Sequence, residues 1–367
     1  MAINRVEIKD FLVFKGDFAM DFCPGVNVLI GSNGTGKTTL LKVLYWATEF
    51  ANKSLLDKDK LQLNRTANDL YIIPFFLWDY FGGRNELYND KDDSDFISTI
   101  CVSRSAASDE ILPELKVKVS KNLNKIQINI VDPSQINAFN LLAWCNKKIS
   151  STFIPAAEML SHSRGFLALN RERPIPFDKT EVDIISKAEL EPTREITHNA
   201  KIVLKKLSSE IDGIVLFDGK DFYVEKTNGD KVLFSFEASG FRKLGLLWKL
   251  LRNGLLESDT ILFWDEPENS LNPELVPVLV DILLELAKNG VQIFVATHDY
   301  NVARYFDARK DRSVLVKFHN LMKTATGIEC ASAAKYLEVP NNLLEKASED
   351  LFDAVVDSAM EGHGDEI

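Results

Sequence analysis

Eight consecutive residues, Gly31-Ser32-Asn33-Gly34-Thr35-Gly36-Lys37-Thr38, have the types and spacing needed to hold a chain of phosphates. Glycines let backbone N–H groups turn inward and approach an anion closely, because no Cβ stands in the way. In the spacing G-x-x-x-x-G-K-[ST], the Walker A loop, the lysine reaches the β- and γ-phosphates and the hydroxyl meets Mg²⁺. Residues 31–38, with Thr39 next to them, are therefore expected to contact ATP, and Thr38 to contact Mg²⁺.

Two carboxylates far along the chain complete that chemistry. Asp265 and Glu266 end an apolar run, Ile261-Leu262-Phe263-Trp264, in the Walker B pattern. Asp265 is expected to hold Mg²⁺ opposite Thr38, and Glu266 to orient and deprotonate the attacking water. A second apolar run, Val291 to Ala296, leads into Thr297-His298-Asp299, which makes His298 a candidate sensor of the γ-phosphate. Ser239 and Gly240 open an apolar helix upstream of Asp265, a further anion cradle at a helix N-terminus.

These residues need strands that end where helices begin. Val26–Ile30 reads as a buried strand, and Leu40, Leu41, Val43, Leu44 and Ala47 as the inner side of a helix. Residues 3–30 read as strands with turns at Lys15-Gly16-Asp17 and Cys23-Pro24-Gly25. Residues 51–95 read as an irregular insertion whose aromatics, Tyr71, Phe75, Phe76, Trp78, Tyr80 and Phe81, form local core. Strands are expected at 96–102 and 152–154, a hairpin at 115–130, and a helix at 137–148. Pro192 interrupts a helical region that begins near Glu181. Beyond it, Ile196, Ala200, Val203, Leu204, Leu207 and Ile211 recur at helical spacing. A hairpin follows around Asp218-Gly219, then a strand at 231–236, and from residue 237 the order helix, strand, helix, strand, helix.

The bulk numbers fit one large or two ordinary globular units: 367 residues, 46% hydrophobic and 26% charged. No signal-like apolar segment or membrane-length run is visible, so a cytoplasmic location without a membrane partner is expected. Cys23, Cys101, Cys145 and Cys330 are scattered with no paired spacing, which argues for free thiols rather than zinc or disulfides. The net charge of −11 is concentrated beyond Asn341, where eight acids meet one base. That balance disfavours wholesale coating of nucleic acid but leaves a local basic groove open, with Lys116, Lys118, Lys121, Lys125, Lys205 and Lys206 as candidates.

The ordered set of Walker A loop, Glu237-Ala238-Ser239-Gly240-Phe241-Arg242-Lys243, the run from Ile261 to Pro273, and Val295 to Asp299 resembles the ABC-type ATPases. It is closer to their SMC/RecF/OLD-like branch than to the transporters. The resemblance covers residues 1–50 and 230–320 well. It implies an α/β P-loop NTPase fold, an ABC ATPase head with a mixed β-sheet, flanking helices and an inserted α+β region. The division is a split core (1–50 and 230–340), an insertion at 51–229 with a short helical arm near 195–212, and an acidic C-terminal helix and tail at 341–367.

The resemblance also implies that two heads sandwich two ATP molecules, with Ser239 and Gly240 of one head capping the γ-phosphate held by the other. Asn269-Ser270-Leu271-Asn272 falls where the family has the loop that crosses this interface. The implied state is an ATP-dependent homodimer or higher oligomer. Stand-alone bacterial relatives, as in PARIS- and Septu-type anti-phage systems, act with a separately encoded nuclease or toxin. DNA repair and DNA binding stay open. The alternative is the nucleotide-binding subunit of a membrane transporter. The signature departs from the common L-S-G-G-Q, which leaves Arg242 and Lys243 unassigned, and Glu158 stands in the region of the family's Q-loop glutamine.

Overall fold

The computed structural model describes residues 2–56, 70–72, 80, 96–105, 114–120, 126–128, 144, 149–173 and 177–361. At its centre is a six-stranded sheet in the order β15-β14-β3-β13-β12-β8. Its strands are β3 (Val26–Ile30), β8 (Ser150–Ile154), β12 (Thr260–Asp265), β13 (Gln292–Ala296), β14 (Val316–Lys323) and β15 (Ile328–Ala333). All neighbours are parallel except β14 and β15. Parallel strands are covered on both faces, so they read as unbroken apolar runs rather than alternating ones. β12 shows why: Ile261 and Phe263 enter one core, Leu262 and Trp264 the other.

One face is covered by α1 (Lys37–Leu56) and a second, antiparallel sheet ordered β2-β1-β5-β6-β7-β4. That sheet joins β1 (Ile3–Phe11) and β2 (Phe14–Asp21) to β4 (Leu70–Ile72), β5 (Phe96–Arg104), β6 (Glu114–Ser120) and β7 (Ile126–Ile128). The region read as an insertion, 51–229, thus shares one sheet with the N-terminal strands and lends β8 to the other. Phe75, Phe76, Trp78, Phe81, Cys145, Lys121, Lys125 and the helix expected at 137–148, apart from Trp144, lie outside the described residues. Tyr80 is buried edge-on to Tyr45, with ring centroids 5.6 Å apart.

The opposite face carries α2 (Phe166–Glu172), α3 (Lys179–Ala188), α4 (His198–Glu210), α5 (Ser239–Arg252), α6 (Val276–Lys288) and α7 (Tyr300–Arg309). A small antiparallel sheet of β9 (Gly213–Phe217), β10 (Phe222–Lys226) and β11 (Lys231–Leu233) packs there as well. α8 (Leu343–Glu361) closes the described chain, with Leu351, Phe352, Val355 and Met360 exposed. Among the described residues no helix is long and apolar enough to cross a membrane.

Three expectations need correction. The first turn is Leu12-Val13, not Lys15-Gly16-Asp17, because Phe11 pairs with Phe14. That register keeps Phe14, Phe18 and Met20 on the buried side, and a one-residue slip would expose them all. Gly16 lies inside β2, where its N–H donates to Asp10 Oδ1 at 2.8 Å. The helix near 195–212 is no projecting arm. α4 is capped by the Thr197 hydroxyl and buries Ala200, Val203, Leu204 and Leu207 in the core shared with α5. Finally, β14 and β15 follow α7, where the sequence reading placed no strands.

Candidate functional site

The phosphate loop begins where β3 ends, and two of its glycines are fixed by what surrounds them. At Gly31 (φ 137°) a Cβ would sit 2.3 Å from the Leu321 carbonyl oxygen. At Gly36 (φ 91°) it would meet the Val13 methyl at 2.7 Å and the Phe14 ring at 2.9 Å. Any side chain at either position would push the loop off β14 or off the first hairpin. Ser32, Asn33 and Gly34 are exposed at the tip, and the Thr35 hydroxyl closes the loop by donating to Ser32 O at 2.9 Å. Thr39 is half-buried in the first turn of α1.

Lys37 is 8% exposed and donates to Gly31 O (2.7 Å) and Ser32 O (3.0 Å). Burial pushes its pKa down, against the pull of Asp265, Glu266 and Glu268. The ammonium is thus folded over the loop's own carbonyls.

Thr38 and Asp265, 227 positions apart in sequence, are bonded: the hydroxyl donates to Oδ2 at 2.9 Å and lies 3.0 Å from Oδ1. Burial, opposed by the Thr38 hydrogen bond, pushes the Asp265 carboxyl up to about 6. A buried carboxylate beside a hydroxyl is a hard-oxygen donor pair, and its unfavourable charge is relieved by a small divalent cation. The donor set fits Mg²⁺.

Glu266 stands one residue beyond, in the left-handed backbone region (φ 46°). For a residue with a Cβ that conformation costs about 1–3 kcal/mol and persists where the surroundings over-determine it. Here its N–H donates to Ala296 O (2.8 Å), and its carbonyl accepts from Asn269 N–H (3.1 Å) and Lys243 Nζ (3.0 Å). The His298 ring reaches the same place, with Nδ1 3.4 Å from Glu266 Oε1 and 3.5 Å from Glu268 Oε1.

Sequence reasoning passed over Glu268. Its Oε1 accepts from the Thr297 hydroxyl (2.7 Å) and from His298 N–H (3.1 Å), so it orders the backbone that presents the histidine. Its Oε2 is buried without a partner. A third acid within an otherwise apolar context, Asp265-Glu266-Pro267-Glu268, was the available signal.

Lys243 was also unassigned. It is 5% exposed, donates to Glu266 O and to Pro267 O (3.3 Å), and burial pushes its ammonium down to about 8 against the pull of Glu268, Glu266, Asp265 and Glu158. Its neighbour Arg242 lies 3.3 Å from Glu158 Oε2, while Glu158 Oε1 accepts the N–H groups of Leu160 and Ser161. Glu158, considered for the Q-loop position, is thus engaged by the signature helix.

The structure gathers residues 31–38, Asp265, Glu266 and His298 around one loop, but it leaves Ser239 and Gly240 elsewhere. Ser239 opens α5 and donates its hydroxyl proton to Ser270 O at 2.9 Å. Gly240 faces Leu271 and Leu275, where a Cβ would come within 3.3 Å of both side chains. Among the described residues no hydrogen bond joins Ser239 or Gly240 to the phosphate loop. Of the basic candidates, Lys116 and Lys205 are exposed and Lys206 pairs with Asp281 at 3.3 Å.

The profile of a family described as "AAA domain, putative AbiEii toxin, Type IV TA system" matches residues 26–304. The glutamine transport ATP-binding protein GlnQ of Geobacillus stearothermophilus is 35% identical over 54 residues, 15% of this chain and 22% of GlnQ. The DNA replication and repair protein RecF of Herpetosiphon aurantiacus is 32% identical over 76 residues, 20% of this chain and 19% of RecF. The chain therefore matches about a fifth of the length of these curated relatives. A solved Smc head bound to the C-winged helix domain of ScpA aligns over 94% of this chain and 100% of its own, with a TM-score of 0.54 and 13% identity, a likeness of fold.

Proposed function

The chain belongs to that AAA-domain family, as an ABC-type P-loop ATPase of the SMC/RecF/OLD-like branch, and from this premise we propose that it hydrolyses ATP as a nucleotide-driven dimer that switches a separate effector. The observation that carries this reading is the Thr38–Asp265 bond, which joins the two halves of a triphosphate site across 227 positions. Glu266 and His298 adjoin that bond, whereas Ser239 of the same chain is turned to Ser270.

In the proposed cycle Lys37 leaves the carbonyls of Gly31 and Ser32 to hold the β- and γ-phosphates of ATP. Thr38 and Asp265 hold Mg²⁺, which when bound neutralises phosphate charge. Glu266 orients a water molecule and accepts its proton, and His298 contacts the γ-phosphate. Ser239 and Gly240 of a second copy cap that phosphate, and release of ADP and phosphate separates the copies. The effector is a separately encoded nuclease or toxin, or a DNA-linked activity, in anti-phage defence or DNA repair. The ScpA-bound Smc head offers a precedent of fold for such a partner.

Light scattering tests the dimer. The full chain should double in mass with saturating ATP when Glu266→Gln blocks turnover, and adding Ser239→Arg should return it to monomer. A Glu266→Gln protein that stays monomeric with saturating ATP defeats the reading. Stable co-fractionation with an integral membrane protein would favour the transporter-subunit alternative, which draws on the 54-residue match to GlnQ.

A further inference from the structure

The signature helix is fastened to the catalytic turn of its own chain at two points. At its first residue, the Ser239 hydroxyl donates to Ser270 O (2.9 Å). Four residues on, Lys243 Nζ donates to Glu266 O (3.0 Å) and Pro267 O (3.3 Å). Residues four apart lie on one face of a helix, so both ties reach the same loop, residues 266–270. Glu268 extends the unit by holding Thr297 and His298.

The two ties differ in what ATP would do to them. A serine hydroxyl has one proton to donate. If Ser239 caps a γ-phosphate held by a second copy, that proton goes to a phosphate oxygen and the bond to Ser270 is given up. Lys243 has its ammonium on two backbone carbonyls of the loop rather than on Ser270, so the exchange at Ser239 leaves its bonds in place. It is also an unusual buried lysine. Its hydrogen bonds go to the backbone carbonyls of Glu266 and its neighbour rather than to a carboxylate, and Glu266 is the residue held in the left-handed region.

We propose that Lys243 is a positioning residue that keeps Glu266 aimed while Ser239 exchanges Ser270 for the partner copy's γ-phosphate, so that docking in one site and water activation in the other are coupled through one buried ammonium. The inference rests on the ATP-dimer reading above. Each copy's Glu266 serves its own phosphate loop, whereas its Ser239 serves the partner's. Lys243 therefore links the two sites of the dimer through a single chain.

The test is steady-state ATP hydrolysis by the full chain carrying Lys243→Met, which keeps length and burial but cannot donate. The expected result is a kcat lower by about 10- to 100-fold, the scale of losing hydrogen bonds from a charged donor. KM for ATP, and the ATP-driven mass increase in a Glu266→Gln background, should stay within about twofold of the parent proteins. Lys243→Arg, which restores donors and charge, should recover most of kcat. A wild-type kcat in Lys243→Met overturns the proposal and leaves the dimer reading standing. So does a parallel loss of KM and dimer, because Lys243 would then serve binding. If circular dichroism shows Lys243→Met unfolded, Lys243→Gln, a shorter neutral donor, is assayed instead. A smaller loss confined to kcat supports the coupling, and wild-type kcat overturns it. Failure of the dimer reading is recognised separately, by a Ser239→Arg substitution that leaves the ATP-driven dimer intact.

Discussion

Buried polar groups lie where strands β3 and β13 begin, and a set of buried and half-buried charged groups lies beyond their far ends; the two ends are built in opposite ways. At the end where the strands begin, Asn27 exchanges two hydrogen bonds with the Cys23 backbone, both at 2.9 Å. His319 Nε2 lies 3.2 Å from Asn27 Oδ1, and His319 Nδ1 lies 2.8 Å from Ser332 Oγ. Gln292 bonds both the N–H and the carbonyl of Ile3, and the Cys23 carbonyl, each at 2.8 Å. Every member is neutral, since burial pushes the His319 imidazole down to about 3.

At the end where the strands finish, the groups are Lys37, Lys243, Asp265, Glu266 and Glu268, with Glu266 and Ser270 in left-handed backbone and a Glu268 oxygen left unpartnered. A satisfied neutral network fixes structure and asks for nothing more. Charge, strain and an unpaired oxygen persist where another molecule completes the set. The two histidines make the same point. His319 is enclosed by its partners, while His298 stands beside two acids at the rim.

The contrast can be broken most forcefully at Glu266. Glu266→Gln keeps the shape and leaves Asp265 in place, so kcat should fall about 10²- to 10⁴-fold with nucleotide binding retained. Unfolding by urea should be little changed. Hydrolysis at the wild-type rate would sink the general-base assignment.

At the opposite end the balance reverses. Asn27→Ala strands the Cys23 backbone groups and the His319 ring, and should cost about 3 kcal/mol of stability. ATP affinity per folded molecule should not move. A variant with native urea midpoint but weakened ATP binding would erase the distinction between the ends.

The smallest effect is one of pH. The folded His319 side chain, held near 3, refuses a proton that the unfolded chain takes up near 6.5. Stability from this group is whole above about 6.5 and is lost as pH falls towards 3, by about 1.4 kcal/mol per unit. Between pH 7 and 5 the wild type should therefore lose about 2 kcal/mol more than His319→Gln. Equal losses in urea titrations at the two pH values would show that His319 is not buried as a neutral ring.

The site was legible where chemistry is local. The phosphate loop, Asp265-Glu266 and His298 each sit at the end of an apolar run, and a P-loop ATPase fold could be read from their order. What escaped depends on partners distant in sequence. β14 reads Val-Lys-Phe-His-Asn-Leu-Met-Lys, neither alternating nor continuously apolar, because His319 is buried in hydrogen bonds with Asn27 and Ser332, and buried Asn320 donates to the carbonyls of Pro340 and Asn341. Lys243 could not be assigned from sequence, since the carbonyls it serves lie more than twenty residues away. The first turn was misplaced because Gly16 is a strong local signal, whereas register answers to the buried phenylalanines.

The position of β3 has a consequence for how the protein is made. β3 is an entirely buried strand, and its sheet neighbours are β13 and β14. β14 ends at Lys323, so about 290 residues must be synthesised after β3 before both of its edges are paired. At roughly 5–20 residues per second that takes on the order of 15–60 s. Until β13 is made, the ribosome-bound chain displays an apolar strand with neither neighbour present, and until β14 is made one edge of that strand stays open. Its synthesis therefore includes a long window in which a holding chaperone, or a neighbouring nascent copy, can reach β3 before its own strands do.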